Sequence, residues 1–189
     1  MFLDEPEQGD GADRLFAGDR KYMGWVMNVS RLWAWQPESQ EGLFALLDSV
    51  SEGFSMRQRA VLVAACASAF GDSYCSLAWG GKLANESDTE TAVGVLTGSD
   101  EGLSEAEKTM ARWARGVAVD PNATTQDGVD DLRTAGFSDA EIFAMTAFVS
   151  LRVAFSTVND ALGCQPDPEL RGFSPPEVIA AVDFGRPIA

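Results

Sequence analysis

Histidine is absent from all 189 residues, and that gap alone removes several kinds of chemistry. A Ser-His-Asp triad, a histidine general base and a histidine-ligated haem are excluded, because each depends on an imidazole. Cysteine is scarce: Cys66, Cys75 and Cys164 include no C-x-x-C pair and no zinc-ligand spacing. Zinc prefers nitrogen and sulfur ligands, so a site here would need carboxylates almost alone, and neither metal nor cofactor is expected. An odd number of cysteines fits free thiols in a reducing compartment. Basic residues are few as well, 14 Lys and Arg against 29 Asp and Glu, for a net charge of −15. Such a surface repels phosphate backbones and anionic lipid, so no nucleic-acid or membrane partner is expected. No uncharged apolar run approaches the roughly 20 residues that span a bilayer. The opening Met1-Phe-Leu-Asp-Glu-Pro-Glu-Gln is acidic where a secretory leader is basic and then apolar. A cytoplasmic protein is the expectation.

What is present is a packed, helical chain. Hydrophobic residues make up 46%, enough for one domain with a substantial core. Three segments, Ser55-x-x-Gln58, Ser104-x-x-Glu107 and Ser138-x-x-Glu141, have the spacing of capping boxes. Gly53, Gly71, Gly80-Gly81, Gly136 and Gly163 read as stops. The patterning predicts helices near residues 13–20, 22–35, 38–51, 56–70, 73–84, 88–97, 105–119, 126–135 and 139–162. No segment shows strand alternation between hairpin signals, so the fold class is all-α, a single-domain helical bundle. The helix at 56–70 is apolar on every side and should be buried all round. The one at 139–162, about 36 Å long at 1.5 Å per residue, should be a spine of the bundle. Residues 1–12 have little to bury and are expected to be loose, residues 13–163 form the helical domain, and 164–189 form a Pro-rich tail. Ser174-Pro175-Pro176-Glu177 opens a short helix in that tail, ending near Ala181.

One segment carries chemistry. Arg57-Gln-Arg59-Ala60 is followed by eleven residues, then Asp72-Ser-Tyr74-Cys75, then three residues to Trp79. In its layout, this resembles the alkylhydroperoxidase D-like, or carboxymuconolactone decarboxylase-like, families, whose pattern is R-x-R-E, then C-x-Y-C, then a histidine. Leu103-Ser-Glu-Ala-Glu to Asp160-Ala-Leu-Gly163, with Ala135-Gly-Phe-Ser-Asp-Ala-Glu141, is similar to the C-terminal half of the peroxidase-related branch. Together the likeness spans about residues 22–163. It implies an alkylhydroperoxidase D-like helical bundle that assembles as a homodimer or larger homo-oligomer. In active members the second cysteine attacks peroxide, the first resolves the sulfenic acid as a disulfide, and histidine and glutamate move protons.

Here only Cys75 survives of that set. Ala60 stands for the glutamate, Asp72 for the resolving cysteine and Trp79 for the histidine. A disulfide cycle needs both thiols, Asp72 opposes thiolate formation, and the Trp79 N–H is a donor only. The leading expectation is therefore a divergent member, a non-redox protein that binds a small apolar molecule or a partner. The candidate pocket lies between helices 56–70 and 73–84, with Phe70, Tyr74, Trp79, Arg152 and Ser156 as lining residues. The alternative is a single-cysteine antioxidant oxidoreductase acting through Cys75. A third reading is lactone or decarboxylase chemistry, for which no acid–base pair can be nominated.

The simpler reading of Cys75 is packing, as for many buried thiols. Cys66 falls inside an apolar run and should be core, and Cys164 follows Gly163 where exposure is open to it. Arg152, Ser156 and Asn159 make a polar line at helical spacing. That line could anchor an anion, but Arg152 is expected to pair with one of the many acids. Ser104-Glu105-x-Glu107 and Asp130-Asp131 read as solvated helix starts. Trp25, Trp33 and Trp35 exceed the needs of one core stripe and fit either a subunit interface or ordinary core packing.

Overall fold

The computed structural model describes residues 1–7 and 9–189. Its elements, in chain order, are α1 (Asp10–Tyr22), α2 (Asn28–Trp33), α3 (Pro37–Ser51), α4 (Met56–Phe70), α5 (Ser73–Glu86) and α6 (Thr89–Thr97). There follow α7 (Glu105–Val119), a 3₁₀ turn (Pro121–Ala123), α8 (Gln126–Thr134), α9 (Asp139–Ala161), α10 (Leu170–Phe173) and α11 (Pro176–Ala181). No strand occurs among the described residues.

The helix boundaries follow from the capping chemistry. Ser55, Ser104 and Ser138 each accept from the backbone N–H three residues on, and Gln58, Glu107 and Glu141 reach back to the cap N–H. Each pair satisfies two of the donors that a helix start leaves free. The predicted helix over 22–35 is corrected, because α1 runs on to Tyr22 and α2 begins only at Asn28. Gly24 takes a left-handed φ of 90° between them. Asp19 accepts from the Met27 N–H at 2.9 Å and closes the turn.

Residues 1–12 also find more to bury than expected. Ala12 is in the core, the Phe2 N–H donates to the Leu162 carbonyl at 2.9 Å, and the Phe2 ring lies against Gly163.

The α4 helix is the centre of the molecule. Every residue from Ala60 to Ala67 is at most 2% exposed, and the helix packs against α5, α6, α7 and α9. A helix enclosed on all sides has no polar face to spare, which is why its sequence shows no amphipathic stripe. α9 crosses the bundle against α3, α4 and α7, burying Ile142, Met145, Phe148, Val149 and Phe155. By length and mean hydropathy α9 could cross a bilayer, yet it places Arg152, Ser156 and Asn159 in the protein interior. Glu107 is corrected from solvated to half-buried, paired with Arg57 at 2.6 Å where α7 meets α4.

The tail after Gly163 folds back over α5 and α6 through α10 and α11. Cys164 is buried there, 1% exposed, rather than open to solvent. Gly80 and Gly81 do not stop a helix; they lie inside α5 and let the tail approach. A Cβ at Gly81 would sit 2.5 Å from Ser174 Oγ, and one at Gly80 would sit 2.9 Å from both Leu96 and Val178 side chains. By helix propensity alone, Gly→Ala in a helix interior gains about 0.5–1 kcal/mol. That gain is expected at exposed Gly42 in α3, where a Cβ meets nothing within 4 Å. At Gly81 overpacking dominates, and Gly81→Ala should cost about 1–3 kcal/mol in denaturant unfolding. Stabilisation by Gly81→Ala would refute the close docking of the tail on α5.

Candidate functional site

Cys75 lies in the first turn of α5, and Asp72 is the N-cap of that helix. The sharp turn before it comes from Gly71, whose φ of 86° ends α4. One Asp72 oxygen accepts from the Cys75 backbone N–H at 3.0 Å. The other accepts from the Ser156 hydroxyl, donated across the core from α9 at 2.5 Å. Asp72 is fully buried, so these donors and the positive end of α5 replace its hydration. The Ser156 oxygen also lies 3.9 Å from Cys75 Sγ. A hydroxyl has one proton, and the short contact commits it to Asp72. The hydrogen bond that favours the protonated sulfur is the one between the Cys75 thiol and Asp72, whereas the long contact with Ser156 works weakly the other way.

Electrostatics agree with that geometry. Burial pushes the Cys75 thiol well above its ordinary value, the Asp72 charge adds to the rise, and the Arg152 guanidinium opposes it. Cys75 is 3% exposed. Burial likewise pushes Cys66 and Cys164 up to about 12. All three cysteines are free.

Arg152 overturns the expected ion pair. It is 7% exposed, yet among the described residues no acid lies within 4.0 Å, and its Nε has no hydrogen-bond partner. Asp72 and Asp48 act on it only at longer range. Instead the guanidinium carbon lies 4.6 Å from the Trp79 ring centroid, 5.5 Å from Phe148 and 5.9 Å from Phe44. Lys82 Nζ is 4.2 Å from the same Trp79 ring. Phe44 and Trp33 both pack on Phe155, edge-on and stacked respectively. The Trp33 indole N–H donates to Asn159 Oδ1 at 2.8 Å.

Of the residues singled out from the sequence, Asp72, Cys75, Ser156, Arg152 and Trp79 converge. Ala60 is fully buried core on α4. Phe70 is half-buried at the end of α4 and is not one of the rings against Arg152. Tyr74 turns to the tail: its hydroxyl donates to Asp167, which also accepts from the Asn28 N–H at 2.8 Å. The tail reaches the start of α5 a second time, where Ser73 Oγ donates to the Arg186 carbonyl at 2.7 Å. Trp33 is used in packing, whereas Trp35 is 50% exposed.

Phe44, Phe148 and Lys82 had not been anticipated. Lys82 at i+3 from Trp79 and Phe148 at i−4 from Arg152 were readable from helical spacing, whereas Phe44 comes from a different helix. Among the described residues no group of three or more Cys, Asp or Glu could hold a metal ion. A cleft of about 370 Å³ lies on the α1–α3 side, lined by Leu15, Tyr22, Met27, Gln40 and Phe44 among others.

Asp160 provides a pH test of the buried charge. Burial pushes its carboxyl up to about 7, Asp72 adds to the rise, and Arg186 opposes it. A folded-state carboxyl that holds its proton above the unfolded value of 3.8 stabilises the fold most at low pH. Its contribution falls as pH climbs through that window to about 7. Asp160→Asn should therefore raise the melting temperature more at about pH 8 than at about pH 5. An equal shift at both would contradict the raised carboxyl.

No protein-family model matches the sequence, and no curated protein matches it. Solved structures do. A peroxidase-related protein with an alkylhydroperoxidase AhpD core from Ralstonia eutropha JMP134 superposes with a TM-score of 0.78 at 20% identity, over 89% of this chain and 93% of that one. A peroxidase-related protein from Silicibacter sp. TM1040 gives 0.80 at 20% identity, over 90% and 94%. The debrominase Bmp8 gives 0.73 at 14% identity, over 94% and 96%. Bmp8 has also been solved, as a cysteine-to-alanine variant, in complex with 2,3,4-tribromopyrrole. Among the described residues, eleven α-helices in this order, built round a buried α4 and a capped cysteine helix, are the alkylhydroperoxidase D-like fold.

Proposed function

We propose that this chain is a divergent alkylhydroperoxidase D-like protein that binds a small molecule beside Trp79 and does no redox turnover at Cys75. The observation that carries the reading is the double engagement of Asp72. Its carboxylate occupies the place the resembled families give to a resolving cysteine, and it holds both the Cys75 N–H and the Ser156 proton. A nucleophilic thiol needs a lowered pKa and access to solvent, and Cys75 has the opposite of each. Trp79 is half-buried, so part of the residue remains in contact with solvent. The complex of Bmp8 with a tribromopyrrole supports a small-molecule role for the same fold.

We place the protein in the cytoplasm as a homodimer or larger assembly. Exposed Tyr22, Leu46 and Phe143 supply apolar surface for contact between copies.

Given an external thiol as reductant, the purified protein should consume cumene hydroperoxide no faster than buffer, and Cys75→Ser should change nothing. Peroxide consumption that disappears in Cys75→Ser would contradict the proposal. Binding of a small apolar ligand should quench tryptophan fluorescence, and Trp79→Phe should remove that part of the response.

A further inference from the structure

Arg152 is the one basic side chain in the buried class among the described residues. In a chain with 29 acids against 14 bases, it has no ion pair there. Lys82, half-buried and three residues past Trp79, has no acid within 4.0 Å and no hydrogen-bond partner among the described residues either. Both cations address one ring, at 4.6 and 4.2 Å from the Trp79 centroid. Two like charges brought together against one indole repel, and burial together with Arg152 depresses the Lys82 ammonium. Cation–π contacts are worth about 0.5–2 kcal/mol each and use the ring face. They leave the in-plane N–H donors of a guanidinium unsatisfied, as Arg152 Nε shows. A buried cation is normally paired, and no described residue supplies the pairing group here.

We propose that Arg152, assisted by Lys82, receives the carboxylate of a small ligand whose apolar body lies against Trp79. The proposal rests on the small-molecule role given above and names the class of ligand: an apolar monocarboxylate. A guanidinium offers paired donors in a planar fork that fits a carboxylate. Trp79 and Lys82 are both half-buried, so each keeps part of its surface in contact with solvent. Phe44 and Phe148 close the other sides of Arg152 with rings, which fits an apolar remainder and disfavours a polyanion. Asp72 lies near enough to act on Arg152 but is already committed to Cys75 and Ser156, so it does not compete for the guanidinium donors.

The test compares benzoate and hexanoate with their neutral counterparts benzyl alcohol and 1-hexanol, by calorimetry and by tryptophan quenching referred to Trp79→Phe. The acids should bind at one site per chain and about tenfold or more tighter than the alcohols. Lys82→Gln, which removes the charge and keeps a polar side chain, should narrow that preference several-fold. Arg152→Met should abolish it while leaving the alcohols bound. Equal binding of acids and alcohols would overturn the carboxylate assignment and leave the small-molecule role standing. An unchanged preference in both Lys82→Gln and Arg152→Met would overturn it as well. Failure of all four compounds to reach Trp79 would remove the small-molecule role together with the assignment.

Discussion

Asp72 is the residue through which the rest of the site is organised. It begins α5 by capping a backbone N–H, and it ties α5 to α9 through Ser156. Burial raises the neighbouring thiol, and the same carboxylate adds to the rise. A charge at full burial is tolerated only when its donors are in place, so the cap, the cross-core bond and the state of the sulfur are not independent. Removing Ser156 would leave an anion short of a donor, and removing Asp72 would leave a hydroxyl and a helix start unsatisfied. The geometry around Cys75 is therefore a structural joint first.

Next to that joint the interior changes from a negative to a positive site. Arg152 sits one turn before Ser156 on α9, and its neighbours are rings in place of acids. The rings continue through Phe155 to Trp33 and Asn159, so α2, α3 and α9 share one aromatic seam. On the opposite side of α5 the tail is fixed by Tyr74–Asp167, Ser73–Arg186 and Ser174–Leu77. The cysteine helix is thus held by the tail on one side and by α4 and α9 on the other. Its thiol, Cys75, is 3% exposed in that setting.

Much of this could be read from the chain, and the parts that could not have a common cause. The capping boxes at Ser55, Ser104 and Ser138 fixed the starts of α4, α7 and α9 because a cap is a local hydrogen-bond pattern. The all-round burial of α4 was visible in its unbroken apolar run. The pairing of Asp72 with the Cys75 environment followed from their spacing. Failures came where a residue's role is set by a distant partner. Gly80 and Gly81 looked like stops because the tail that presses on them lies some ninety residues later, at Ser174. Cys164 looked exposed for the same reason, and Tyr74 looked like a pocket residue until Asp167 took its hydroxyl. Arg152 was assigned an acid because composition makes acids abundant, whereas its surroundings were decided by Phe44, from a helix more than a hundred residues earlier.

The account turns on Cys75 being held as a thiol, and the pH dependence of its alkylation measures that state directly. With iodoacetamide and mass-spectrometric assignment of the site, native Cys75 should show no thiolate plateau up to about pH 9, beyond the ordinary thiol range of about 8.5. Asp72→Asn, which keeps a capping side chain but removes the charge, should make it react faster at every pH. A plateau reached below about pH 7.5 in the unaltered protein, the signature of an activated thiolate, would contradict the account at its root.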